Sequence, residues 1–137
     1  MPTLFNFEVH TPYRLFYSGK AQAITLTLAD GEIGIYANHS PFTGVVVTGI
    51  LHIKESDGSW RAAFVSDGIL EVKEHKNVLM VDSAEWPEEI DKKRALESKE
   101  QAEKILSDEN FKFETNKAKD KLRRAENRLK VLEMTKN

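Results

Sequence analysis

Arg124 and Arg128 stand four residues apart in a stretch rich in base: Lys117, Lys119, Lys121, Arg123, Arg124, Arg128 and Lys130. On a helix that spacing puts the two guanidiniums on one face, one turn apart. Two planar forks so placed can grip a phosphate or a carboxylate. Asp120 and Glu126 interleave with the bases, so a solvated helix face explains the same residues on spacing alone. The histidines, at 10, 39, 52 and 75, are scattered. His10 and His52 fall on the polar side of alternating stretches. His39 precedes Ser40-Pro41, and no partner for a triad or a metal can be named, so a turn histidine bonding locally is the plainer reading. Asp30 and Glu32 flank Gly31. A glycosidase needs its two carboxyls on opposite sides of a bond, whereas Asp-Gly between strand-like runs is a hairpin signal. No phosphate-cradling glycine loop, nucleophile elbow or His-Glu-x-x-His pair occurs. The chain has no cysteine, which rules out disulfides, thiol nucleophiles and cysteine-based metal sites. Neither catalytic residues nor a metal site is expected.

The elements that position these groups fall into two parts. Residues 1–87 carry six Lys/Arg and ten Asp/Glu; residues 88–137 carry fourteen and twelve. The first part is acidic and sparsely charged. The second is slightly basic and about half charged, so the two relate differently to solvent. The net charge of -2 makes no case for nucleic acid. No apolar run approaches the ~20 residues of a membrane span, and the N-terminus lacks a signal pattern. The expectation is a chain that folds in water without direct membrane insertion.

The first part alternates with a period of two. Phe5, Phe7 and Val9 alternate with polar residues, as do Ile24, Leu26 and Leu28, and Leu51 and Ile53. This is the pattern of half-buried strands. Trp60, Ala62 and Phe64 share a face, which places Trp60 in the core. Turn signals separate the runs: His10-Thr11-Pro12, Ser18-Gly19, Asp30-Gly31, Asn38 to Pro41, Thr48-Gly49, Ser56 to Ser59, Asp67-Gly68 and His75 to Asn77. Spacings of ~8–12 residues argue for an all-β sandwich or barrel.

Glycine ends at Gly68 and proline at Pro87, and helix formers dominate thereafter. Pro87 and Asp91 are rival helix starts. Trp86 stands at the junction, where packing between the two parts is its plain role. Ala95, Ser98, Ala102 and Ile105 form one seam, and Ala118, Leu122, Ala125, Leu129 and Leu132 another. Ser107 to Asn110 is the expected connector of an antiparallel hairpin. Seams this narrow and this small bury little area, at roughly 25 cal/mol per Å². Such a hairpin is marginal by itself and is a candidate for detaching, extending or docking elsewhere. The fold class is therefore α+β: an N-terminal antiparallel β-sandwich over 1–86 and a C-terminal antiparallel two-helix hairpin over 87–137.

Three segments, Asp30-Gly-Glu-Ile-Gly-Ile-Tyr-Ala-Asn-His-Ser-Pro-Phe42, Val65-Ser-Asp-Gly-Ile-Leu-Glu-Val72 and Ile90-Asp-Lys-Lys-Arg-Ala95, occur in this order. Together they resemble the epsilon subunit of bacterial F-type ATP synthases, and the resemblance covers essentially the whole chain. One departure is Ala37-Asn38 where the family commonly has Pro-Gly. Asparagine tolerates a left-handed backbone, so the turn is expected to survive.

The resemblance implies a non-catalytic central-stalk subunit. Its sandwich would bind the gamma subunit and the c-ring. Its helices would fold onto the sandwich, or extend toward the catalytic alpha and beta subunits and oppose ATP hydrolysis. The basic second helix, through Lys121, Arg123, Arg124, Arg128 and Lys130, would meet an acidic loop of the catalytic head. In some bacterial members the folded hairpin binds ATP. The matching positions here are Ile90, Asp91, Arg94, Ala95, Arg124 and Arg128, with Glu85 as a further candidate. The arginines would hold phosphates, Asp91 would accept hydrogen bonds, and Ile90 with Ala95 would give apolar contact. No cofactor is required; ATP enters as a regulatory ligand. The implied location is peripheral, on the cytoplasmic face of a bacterial plasma membrane. The competing readings are a free-standing ATP sensor and a coiled-coil adaptor.

Overall fold

The computed structural model describes residues 3–108 and 115–134. Among them nine strands come first: β1 (Phe5–His10), β2 (Leu15–Leu28), β3 (Gly31–Tyr36), β4 (Phe42–Val46), β5 (Gly49–Glu55), β6 (Trp60–Val65), β7 (Gly68–Lys73), β8 (Lys76–Val81) and β9 (Ala84–Glu85). A 3-10 turn (Pro87–Glu89) follows, then helices α1 (Lys92–Ser107) and α2 (Thr115–Met134). Both rival starts are used. Pro87 opens the 3-10 turn, and Asp91 caps α1 by accepting from the Arg94 amide at 3.1 Å. Of the expected connector, Ser107 closes α1 and Asp108 caps it, while Glu109 and Asn110 lie outside the described residues.

Strand β2, 14 residues long, organises the sandwich. Its first half pairs with β1 and its second half with β3 and β5. The register against β5 slips between Ala21 and Ala23, a bulge at Gln22 that bends the strand. One layer is thus β4-β7-β8-β1 with the start of β2, and the other is β3-β2-β5-β6-β9. All ladders are antiparallel except β1 with β8, which run parallel from Asn6↔Lys76 to His10↔Met80. Phe7, Val9, Ile24, Leu26, Leu51, Ile53, Leu70 and Leu79 fill the space between the layers. The alternation in β1, β2 and β5 is the one read from the sequence.

Two strand-level expectations are corrected. Ser18-Gly19 is not a turn: both residues lie inside β2, opposite Glu8 and Phe7. A Cβ on Gly19 would meet the Tyr17 hydroxyl at 2.9 Å, so glycine is there to let that ring lie over the strand. Trp60 is not in the core: it is 54% exposed, beneath the Lys54 ammonium. In β6 the interlayer face belongs to Ala63 and Val65. Phe64 is buried from the opposite side, by Ile90 and by Val131 of α2. Period two separates the faces of a strand without saying which face is covered.

The signature segments are built of turns and close approaches. Asn38 takes φ 64°, so asparagine does hold the left-handed turn. Asp67 Oδ1 accepts from the Thr48 amide at 2.8 Å and its hydroxyl at 2.9 Å. Ser66 Oγ accepts from the Ser83 amide at 2.8 Å. These bonds tie the β4–β5, β6–β7 and β8–β9 links together at one end of the sandwich.

α1 and α2 meet through alanines: Ala95 and Ala102 against Ala118 and Ala125, all buried. Ser98, Ile105, Leu122, Leu129 and Leu132 are half-buried flanks of that seam. α2 lies across β5 and β6. Its docking contact is small: Phe64, Ile90 and Val131, with Ile50 and Leu132 alongside.

His52 shares the outward face of β5 with Ile50, on the side that α2 crosses. Burial pushes its pKa below the ordinary 6.5; Lys130 of α2 pushes the same way, and Glu32 of β3 opposes. The docked hairpin therefore favours neutral His52. The contribution of His52 to docking is complete above the ordinary pKa of about 6.5 and is lost as pH falls through the depressed docked-state value. α2 amides, corrected for intrinsic exchange, should open more readily at pH 5.5 than at pH 7.5. His52→Gln should flatten that slope, and an unchanged slope would remove His52 as its cause.

Candidate functional site

Where α1, α2 and the interdomain link converge, a cleft of about 350 Å³ opens, lined by Glu85, Glu89, Asp91, Arg94, Ala95, Ser98, Lys121, Arg124 and Arg128. That volume is in the roughly 300–1,000 Å³ range of ligand pockets. Three segments supply the lining. β9 and the 3-10 turn bring Glu85 and Glu89. The first turns of α1 bring Asp91 through Ser98. α2 brings Lys121, Arg124 and Arg128, at helical steps of three and four that keep them on one face.

The carboxylates are already engaged. Glu85 accepts from Arg128 Nε at 2.7 Å and from its terminal nitrogen at 3.4 Å. Glu89 accepts from Arg14 at 2.9 Å and from the Trp86 amide at 2.9 Å. The Arg14 hydrogen bond holds the Glu89 carboxyl below the usual carboxylate range, against a smaller opposing effect of burial. Asp91 is the α1 cap. Among the cations, Lys121 donates to Gln101 at 2.6 Å. Arg128 lies 4.4 Å above the Phe64 ring while paired to Glu85. Among the described residues, no side chain partners the guanidinium of Arg94 or of Arg124. The cleft thus offers two unengaged guanidiniums beside a helix N-terminus, a setting for an anion.

Of the residues named from the sequence, Glu85, Asp91, Arg94, Ala95, Arg124 and Arg128 come together here. Ile90 does not line the cleft; it is buried against Phe64 and Val131. Within the basic set on α2, Lys121, Arg124 and Arg128 turn into the cleft. Arg123 points away, 4.0 Å from Asp120, and Lys130 lies on the opposite groove. Sequence reading missed Glu89, Lys121 as a cleft residue, and Val131. Lys121 had a signal, standing three and seven residues before Arg124 and Arg128. Glu89 had none, because its partner Arg14 is 75 residues away.

Elsewhere, His39 Nδ1 lies 2.8 Å from the Ser40 carbonyl oxygen, and its ring packs on Phe42. Asp30 lies in the β2–β3 turn and Glu32 within β3, opposite Thr27. Among the described residues no carboxylate and histidine cluster is arranged to hold a metal ion. No described helix is long and apolar enough to cross a membrane.

A two-layer sandwich followed by two long helices with a basic cleft at their junction defines a class, and comparison with known proteins agrees with it. Residues 4–87 match the family model for the beta-sandwich domain of the ATP synthase Delta/Epsilon chain, and residues 88–133 match that for its long alpha-helix domain. The chain is 46% identical over 132 residues to the ATP synthase epsilon chain of Caldicellulosiruptor bescii, covering 96% of each. It is 43% identical over 132 residues to that of Caldanaerobacter subterraneus, covering 96% of this chain and 95% of the relative. Its fold is similar to a chain of the Euglena gracilis mitochondrial ATP synthase, with a TM-score of 0.81 at 20% identity, covering 96% of this chain and 83% of that one. The chain belongs to the ATP synthase delta/epsilon chain family.

Proposed function

We propose that this chain is a central-stalk rotor subunit that couples an ion-driven c-ring to the catalytic head and restrains ATP hydrolysis through a releasable helical hairpin. The observation that carries the reading is the slight hold of hairpin on sandwich. Among the described residues it consists of the small cluster around Phe64, Ile90 and Val131, one ion pair, Arg128 with Glu85, and the Arg128 guanidinium over the Phe64 ring. An element held this lightly can exchange between a folded and an extended pose. In the extended pose, Lys121, Arg124 and Arg128 would join Arg123 and Lys130 in facing an acidic partner on the alpha and beta subunits. In the folded pose, Arg94 and Arg124 would take the phosphates of ATP. ATP would thereby favour the pose that leaves hydrolysis unrestrained. The subunit would sit peripherally on the cytoplasmic face of the membrane, held there by its partners.

The sandwich has a surface suited to the gamma subunit. Val45, Ile69 and Met80 are paired across β4, β7 and β8, and all are exposed, Val45 by 63%. The ladder continues through His10 of β1 to Leu15 of β2, also exposed. An apolar row of this kind marks an interaction site. Ile69→Asp should reduce co-purification with gamma at least about tenfold, since a charge would then be buried in an apolar interface without a partner, and should leave the melting temperature nearly unchanged. Undiminished co-purification would clear this face of the role.

The overall reading is tested by reconstitution. Removing residues 88–137 should raise the ATP hydrolysis rate of the assembled complex several-fold while the sandwich still co-purifies with gamma. An unchanged rate would remove restraint from the hairpin's functions. Failure to co-purify at all would favour a free-standing sensor.

A further inference from the structure

The link between sandwich and hairpin is divided into a fixed part and a free part, and the boundary lies between Glu89 and Asp91. Trp86 is clamped on both faces. Its ring stacks on Phe16 with centroids 4.4 Å apart, and the Arg61 guanidinium lies 3.7 Å over it from the other side. Tyr17 meets its edge at 6.2 Å. Just before it, β9 is laddered to β6 through Phe64↔Glu85 and Val65↔Ala84. Just after it, the 3-10 turn is tied back by Glu89, whose carboxylate takes the Trp86 amide and Arg14 together. Arg14 also donates to the Ala84 carbonyl at 3.3 Å and lies over Phe16. All of these partners belong to the sandwich or to the link itself. The tie from this stretch to α2 is made by the Glu85 side chain, through Arg128, and it is broken when the hairpin leaves.

Ile90 and Asp91 differ. Both have extended backbones between two helical segments. The Ile90 side chain is held partly by Val131 of α2, so its cover leaves with the hairpin. We propose that Trp86, Glu89 and Arg14 form a fixed post of the sandwich and that the hairpin opens about Ile90–Asp91. This rests on the reading that the hairpin is releasable, and it adds where and how. Two extended residues reach at most ~7 Å, so the start of α1 cannot travel far. The hairpin leaves by rotation about its root. Asp91 and Arg94 then stay near the post, while the cations of α2 are carried away from it.

The test uses the full chain with Trp60→Phe, which leaves Trp86 as the only fluorophore of its kind. Val131→Asp in that background should release the hairpin, because the charge falls in a fully buried contact. α2 amides should then exchange at least tenfold faster. The amides of Trp86, Glu89 and Ile90 should keep their protection, and acrylamide quenching of Trp86 should change less than twofold. Quenching that rises several-fold along with α2 exchange would overturn the post. Unchanged α2 exchange would overturn both the post and the releasable hairpin. A second variant, Arg14→Gln, separates post from latch. It should speed exchange at Trp86 and Glu89 several-fold and leave α2 amides as they were. If α2 loosens too, Arg14 holds the hairpin shut and the pivot is misplaced. Core amides of Leu70 and Leu79 report in every case that the sandwich is folded.

Discussion

Arg124→Ala will weaken ATP binding by the isolated chain at least about tenfold and leave the hairpin docked, whereas Arg128→Ala will weaken binding and docking together. The difference follows from what each guanidinium touches. Arg124 lines the cleft with no side-chain partner among the described residues, so its truncation strands no other group. A charge-assisted bond to phosphate is worth roughly 1.5–3 kcal/mol, or about ten- to a hundredfold in affinity. Arg128 is engaged twice over. It bonds both oxygens of Glu85 and covers the Phe64 ring. That pair is about a quarter to a third exposed on each side, so water screens it only in part. Its loss leaves Glu85 without its cation and Phe64 without its cover, together roughly 2–4 kcal/mol. Calorimetry measures the binding, and hydrogen exchange in α2 measures the docking. If Arg124→Ala binds ATP as the parent does, the cleft is not where the phosphates go. If the parent itself shows no binding at millimolar ATP, ATP is not the ligand that sets the hairpin's pose.

Gly68→Ala will be among the most damaging single substitutions in the sandwich. A methyl at Gly68 would overlap the Met80 carbonyl oxygen and lie 2.8 Å from both the Met80 carbonyl carbon and the Val81 Cα. These are backbone atoms, which cannot swing aside as a side-chain tip can. Gly68 pairs with Val46 on one side and Val81 on the other, so no edge is free to yield. The added methyl must push β8 off β7 or break the Asp82 amide bond to the Asp67 carbonyl. Overpacking of this kind costs about 3 kcal/mol or more. Melting temperature should fall by about 10 °C or more. A melting point within a couple of degrees of the parent would mean that the two strands part more easily than their close approach implies.

Much of this molecule is legible in its sequence because local chemistry sets much of it. Alternation marks β1, β2 and β5, and the end of glycine and proline marks the second part. Alanines at helical spacing mark the seam of α1 and α2. The misreadings share a cause. Trp60 and Phe64 share a face of β6, yet the strand is covered from both sides and Phe64 alone lies under α2. Ser18-Gly19 has turn composition, but the Tyr17 ring claims the space above Gly19. Val131 went unnoticed because the leucines on either side already satisfied the seam spacing. Glu89 and Arg14 are distant in sequence, and no local pattern joins them. Within the cleft, the residue types were legible. Their states of engagement were not: Asp91 is used as a cap and Arg128 as a tie, because those roles depend on where β9 and α1 come to lie.

The parallel pairing of β1 with β8 also fixes an order of assembly. Every other ladder closes a shorter loop: β2 with β5 joins Ala21 to Glu55, and β4 with β7 joins Phe42 to Val72. β1 can pair with β2 at once, but its other edge must wait for a partner some 70 residues downstream, since Asn6 lies opposite Lys76. Closing so long a loop is slow, and contacts of that separation dominate folding rates. The β5–β6 hairpin on which α2 rests is local and needs no such wait. The platform for the helices can therefore exist before the sandwich is shut. The β1–β8 ladder is then the last to close, and until it does β8 presents an open edge to any other chain nearby.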